Sequence, residues 1–261
     1  MIILWTSDIN CHQQGLEKGL INATNRFSAM LSLLTFPTGF GLFSISPFCI
    51  KSAMMLELSG QPWQRSDLLD PTEMPHRKLP VLETPEGQIA DSDGIRDWLE
   101  AQGADFDTGL DAASCAQARA WVRLAEYHLG LHLLQMRWND DTVWPEVRDQ
   151  IFQSVPEPMR EEISAPIRKG VQDGLHWQGV ARFSNAERLR RLEQDLKAIA
   201  ALAARRGFLM SGKITSADLS VAPFLISMLH TSEASAVSKR LREDKVLCAY
   251  LSRVFEMVPL P

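Results

Sequence analysis

The sequence predicts an α/β unit followed by an all-helical one, and three observations point to this fold class. From Met30 to residue 102, short apolar runs of strand length alternate with helix-length segments. A polar, glycine-bounded stretch at 103–110 then interrupts the chain. Beyond it the strand signal stops and long segments with helical apolar spacing take over.

The first strand is Leu31–Phe36, followed by the turn-rich Pro37-Thr-Gly-Phe-Gly41. Pro47–Leu58 reads as a helix. Ser46 stands at its N-cap and Pro47 at its first position, where proline's missing N–H costs nothing; Gly60 ends it. Met54, Met55 and Leu58 are its core candidates. Pro62–Ser66 is a short strand, and Asp70-Pro71 and Met74-Pro75 break the segment after it. Leu79–Glu83 and Gln88–Ala90 are strands joined by the turn Pro85-Glu-Gly87, a hairpin. Ser92–Gln102 is a helix with Ile95, Trp98 and Leu99 inward. The order β-α-β-β-β-α is a thioredoxin-like arrangement.

In the second half, Ala112–Arg137 has helical periodicity, and prolines 156, 158 and 166 are expected to divide 144–174 into at least two helices. Asn185–Arg206 carries the stripe Leu189, Leu192, Leu196, Ile199 and Leu202, with Gly207 as its stop. Thr215-Ser-Ala-Asp218 forms a capping-box variant that opens another helix, and Val246–Met257 is the last. The predicted organisation is an extension (1–29), a thioredoxin-like domain (30–102), a linker (103–110) and an all-helical domain (111–261). Residues 1–29 have neither the basic start nor the apolar run of a signal peptide.

The chain has 261 residues and a net charge of −5, which argues against a generally basic nucleic-acid surface. Its 4 cysteines, Cys11, Cys49, Cys115 and Cys248, are scattered, without C-x-x-C or zinc spacing; they read as reduced thiols of a cytoplasmic protein. Of the six histidines only His128 and His132 stand four apart on a predicted helix, and with no third ligand beside them no metal is expected. No window is long and apolar enough to span a bilayer.

The chemistry converges on Ser44-Ile-Ser-Pro-Phe-Cys49. A strand, a loop and a helix start bring the Ser46 hydroxyl to free backbone N–H groups and the positive end of a helix dipole, where an anion such as a thiolate is stabilised. Two later pieces, Lys78-Leu-Pro-Val-Leu82 and Ala90-Asp-Ser92, are expected to face the same point. Cys49 lies one turn into the helix and reads as a small packed residue. Because Ser46 occupies the first position of a would-be C-x-x-C, disulfide exchange is demoted. The 2 tyrosines, Tyr127 and Tyr250, are remote in sequence from the first strand. Phe40, Phe43, Trp138 and Trp144 are candidates for an apolar pocket.

These motifs, together with Ile89-Ala-Asp-Ser-Asp-Gly-Ile95, Gln135-Met-Arg-Trp138 with Trp144, and Thr215-Ser-Ala-Asp218, resemble the glutathione S-transferases, nearest to the failed-axon-connections and metaxin-like branch. The resemblance spans most of the chain from Met30 onward. It implies the glutathione S-transferase fold, with glutathione as co-substrate and an apolar electrophile as its partner. Ser46 would donate to the glutathione thiolate as the catalytic residue. Pro80 would be a cis-proline that turns the Leu79 backbone to the glutathione cysteine; Asp91 and Ser92 would hold the γ-glutamyl end, and Lys78 the glycyl carboxylate. Relatives can dimerise, so a homodimer is possible. The alternative is a non-catalytic glutathione-binding scaffold on the same fold.

Overall fold

The computed structural model describes residues 30–261. The expected extension, 1–29, lies outside the described residues. Four strands form one mixed sheet in the order β2-β1-β3-β4: β1 (Leu31–Thr35), β2 (Trp63–Asp67), β3 (Val81–Thr84) and β4 (Gly87–Ala90). β1 and β2 run parallel, because helix α1 (Pro47–Ser59) crosses between them; β3 is antiparallel to β1 and β4 to β3. Alternation on β1 feeds both faces of the sheet. Leu31 and Leu33 enter the main core, while Leu34 packs with Val81, Leu79 and Cys49 on the other side.

Helix α1 is apolar nearly all round, and that suits its position. Ile50, Met54, Met55 and Leu56 are fully buried, and it packs on both α2 (Ser92–Ala101) and α8 (Ser216–His230). Leu58, expected in the core, is instead 41% exposed: it sits in the last turn, just before Gly60 adopts the left-handed conformation that ends the helix. Ile95 and Leu99 of α2 are buried as expected, with Trp98 partly so.

The helical half comprises α3 (Ala112–Arg123), a π segment (Leu124–Leu129), α4 (Gly130–Trp138), α5 (Trp144–Ile151), α6 (Glu157–Gln178), α7 (Asn185–Arg206), α8, α9 (Ala236–Glu243) and α10 (Lys245–Met257). The predicted Ala112–Arg137 helix is therefore three segments, and α9 has no counterpart in the sequence reading. Pro166 does not break α6. It lies on the exposed side, and the carbonyl it leaves unpaired, that of Glu162, belongs to an exposed residue water can reach. Leu189, read as stripe, is 39% exposed at the start of α7, while Leu192, Leu196 and Ile199 are buried.

Asp218 receives the backbone N–H of Thr215 (2.9 Å), that of Leu209 (2.9 Å) and the Tyr250 hydroxyl (3.1 Å), closing the expected capping box at the start of α8. Asp107, in the linker, pairs with Arg96 of α2 at 2.8 Å and accepts from Ser216 N at 3.0 Å. One apolar core runs from β1 through α1 and α8 to α10.

Candidate active site

The loop from β1 to α1 is held in place by a series of named bonds. Ser44 Oγ donates to the Phe36 carbonyl (2.8 Å), Thr35 Oγ1 donates to Ser44 Oγ (3.2 Å), and Ser46 N donates to the same Ser44 Oγ (3.3 Å). The helical half grips the loop too. Gln150 Oε1 accepts from Phe40 N at 2.7 Å, and an Arg137 Nη donates to the Ile45 carbonyl at 2.6 Å. Gly39 is required here, since a Cβ at that position would stand 2.4 Å from Ile45 Cγ2.

This scaffold presents Ser46 at the N-cap of α1. Its hydroxyl makes no bond to the N–H groups of its own helix, so the group that usually closes a helix start stays turned to other partners. Cys49, one turn on, is completely buried. Burial pushes its thiol pKa up, against hydrogen bonds from Thr35, Ser46 and Ser44, so it stays a packed thiol.

Ser46, Lys78 and Asp91 line one cleft of ≈ 640 Å³ between the two halves. Leu79, Pro80 and Ser92 are buried and are not among its lining residues. The Leu79–Pro80 peptide is cis, as the resemblance implied, and Leu79 makes no backbone hydrogen bond to the described residues. Asp91 caps α2 by accepting from Asp93 N at 2.9 Å, from a backbone at φ 71° and ψ 145°, outside the left-handed helical well and seldom adopted by residues other than glycine. The Ser92 hydroxyl is buried with no partner among the described residues.

Next to these stands a charge network that sequence spacing does not reveal. Lys51 of α1 is 1% exposed and donates to Glu126 at 2.6 Å, with Asp93 at 3.5 Å. Arg119 pairs with Asp93 at 2.9 Å, and Arg123 pairs with both Asp93 and Glu126. Burial alone would raise the Asp93 carboxyl; Arg119, Lys51 and Arg123 outweigh it and hold it at about 2. The π segment supplies Glu126 and Tyr127 to the cleft wall. Its wider turn shifts which side chains face inward, a common device at functional sites. Tyr127, remote from β1 in sequence, is 67% exposed on this wall.

Apolar side chains also line the cleft, among them Phe36, Ile45, Phe48, Leu131, Trp138 and Phe224. Of the four aromatics expected there, only Trp138 lines it. Phe40 and Trp144 are buried in a small core with Val143 and Phe152, and Phe43 packs edge-on to Trp63 at 6.2 Å. Away from the cleft, His128 pairs with Asp195, an acid partner 67 residues further along the chain that no local pattern marks.

A thioredoxin-like sheet unit joined to a helical half, with a helix-start serine and a cis-proline loop at their junction, is the glutathione S-transferase fold. Residues 47–143 match the glutathione S-transferase N-terminal domain. The chain is 28% identical over 234 residues to the isoprene-epoxide–glutathione S-transferase of Rhodococcus sp. (strain AD45), covering 86% of this chain and 98% of that one. A glutathione transferase from Phanerochaete chrysosporium superposes with a TM-score of 0.61 at 17% identity, over 87% of this chain and 96% of its own. A glutathione S-transferase of Ceriporiopsis subvermispora in complex with glutathione gives 0.60 at 17%, over 89% and 99%. These matches support a place for the chain in the glutathione S-transferase family.

Proposed function

We propose that this chain binds glutathione in the cleft between its two halves and transfers the tripeptide's thiolate to a small apolar electrophile, with an epoxide as the class. The observation that carries this is the shared cleft, which Ser46, Lys78 and Asp91 line together with apolar side chains. Ser46 is the proposed donor to the thiolate, at the positive end of α1. Asp91 takes the ammonium of the γ-glutamyl group, and the buried Ser92 hydroxyl, with the N–H groups at the start of α2, takes its carboxylate. The Leu79 backbone pairs with the cysteinyl residue, Pro80 sets that backbone's course, and Lys78 meets the glycyl carboxylate.

In the reaction the glutathione thiol loses its proton to solvent. The sulfur lone pair attacks an epoxide carbon, the S–C bond forms as the C–O bond breaks, and the oxygen takes a proton from water. The epoxide is proposed from the Rhodococcus relative, whose name states that substrate.

Isothermal calorimetry with glutathione, followed by conjugation assays with a small alkyl epoxide and with a chloronitrobenzene, tests the reading. Micromolar to millimolar binding and turnover of the epoxide are expected. No binding rejects the proposal. Binding without turnover of either electrophile replaces it with the scaffold reading.

Three finer assignments belong to the same proposal: a cytoplasmic location, a homodimer, and the failed-axon-connections and metaxin-like branch. Among the described residues, no helix is long and apolar enough to cross a membrane. The branch rests on the Trp138–Trp144 pair, whose rings lie 5.4 Å apart, and on the Thr215–Asp218 cap. Light scattering decides the dimer, cell fractionation the location, and a phylogeny of residues 47–143 that groups the chain with epoxide transferases would reject the branch.

A further inference from the structure

Arg137 of α4 lines the cleft and is only 4% exposed. Its Nε donates to Thr231 Oγ1 at 2.9 Å, one Nη to the Ile45 carbonyl at 2.6 Å, and the other Nη to the Ser227 carbonyl at 3.3 Å. Cζ lies 4.2 Å from the centre of the Phe40 ring. A guanidinium carries five N–H groups, so each Nη keeps one N–H beyond these bonds.

All of its acceptors are neutral. Among the described residues no carboxylate is paired with Arg137, whereas Arg123 of the same cleft wall and the buried Lys51 each have two acidic partners. A buried charge without a counter-charge is costly, and burial alone draws the Arg137 pKa down to about 9. The other charged groups lining the cleft are Lys78, exposed at its edge, Asp91, which caps α2, and the mutually compensated Asp93, Arg123 and Glu126. The cleft therefore offers one buried positive charge whose partner has to arrive with the bound molecule.

We propose that Arg137 is a positioning and charge-holding residue for the sulfur: anchored to the carbonyl that directly precedes Ser46, it fixes the Ser46 loop and supplies the cation that stabilises the bound thiolate. This rests on the cleft being the glutathione site. On ionisation the S–H bond breaks, the proton passes to bulk water and the electron pair stays on sulfur. That sulfur anion then supplies the negative charge that no described side chain brings to Arg137. The coupling is reciprocal: the guanidinium lowers the thiol pKa, and the thiolate holds the guanidinium charged.

The test is a pH titration of glutathione bound to the full chain, following thiolate absorbance in the ultraviolet, for the wild type, Arg137→Gln and Arg137→Lys. Calorimetry with S-methylglutathione, which cannot ionise, reads the integrity of the binding site in each. The expected result for Arg137→Gln is a bound-thiol pKa raised by about one unit or more, with S-methylglutathione affinity kept within about threefold. Arg137→Lys, which retains the charge, recovers most of that shift. An unchanged thiol pKa in Arg137→Gln overturns the proposal, as does a lysine variant shifted as far as the glutamine one, which would leave only a packing role. Should the glutamine variant not fold, the lysine variant decides: a thiol pKa within about half a unit of wild type supports the proposal, and a rise of a full unit or more overturns it. A wild-type chain that binds neither glutathione nor S-methylglutathione defeats the glutathione reading itself, a separate outcome.

Discussion

The Lys51 ammonium donates to the Glu126 carboxylate at 2.6 Å, and this single bond joins the first helix of the sheet unit to the helical half inside the cleft wall. Asp93 at the start of α2 completes the junction through Lys51, Arg119 and Arg123. Four elements, α1, α2, α3 and the π segment, are thereby locked by charge, in a place where Lys51 is too deeply buried to be left unpaired.

Removing one member should be costly for that reason. Asp93→Asn is expected to destabilise the chain by about 1–3 kcal/mol, because Arg123 and the buried Lys51 then share Glu126 alone and Arg119 loses its partner. Denaturant unfolding measures it. Asp93 is held at about 2, below its ordinary value. Its stabilising contribution is therefore complete above about pH 4 and lost as the pH falls towards 2. In the Asp93→Asn variant that part of the acid-induced loss should be gone; an identical acid profile would show the network to be inert.

Ser46→Ala should raise the bound glutathione thiol pKa by about one unit and lower kcat/KM for the epoxide by up to about 10-fold at neutral pH, since less thiolate is then present. The loss should shrink as the pH is raised, because the thiol then ionises without help. A pH–rate profile parallel to that of the wild type would remove Ser46 from its assigned role.

Gly39→Ala brings a methyl to 2.4 Å from Ile45 Cγ2, so Ile45 must shift, and with it the residue before Ser46. We expect a loss of about 1–3 kcal/mol of stability together with weaker glutathione binding, measured by thermal unfolding and calorimetry. Unaltered binding would mean that the loop absorbs the methyl without moving Ser46.

Cys49 is buried with its thiol pKa pushed up. In native protein at about pH 8 it should resist an aromatic disulfide reagent that labels it promptly after denaturation. Peptide mapping of the labelled sites checks this. Rapid native labelling would reopen thiol exchange as the chemistry of the site.

The alternation of strands and helices is legible in the sequence because period-2 and period-3.6 patterns, turn residues and caps are local signals. Asn185–Arg206 appears in the structure with those same bounds, and the Thr215–Asp218 box closes as its spacing implies. α9 escapes such a reading because Ala236–Glu243 is short and largely polar; it is started by Ser235, which accepts from Val237 N and Ser238 N. The glutathione-end candidates Ser46, Lys78 and Asp91 can be chosen from motifs lying within single segments. Arg137, Glu126 and Lys51 cannot, since each gains its meaning from an element distant in sequence. For the same reason the sequence points Phe40 and Trp144 to the pocket, although tertiary packing puts them in a core of their own.

Gln150 and Arg137 of the helical half hold the β1–α1 loop, and α1 itself lies sandwiched between α2 and α8. The sheet unit is thus not a portable cassette. Excised, it would bare the side of its own first helix that α8 covers and lose two of the anchors that shape its reactive corner. A chimera that borrowed the helices of a distant relative would inherit the outline of the cleft without its alignment, unless the grafted surface carried matching partners for both.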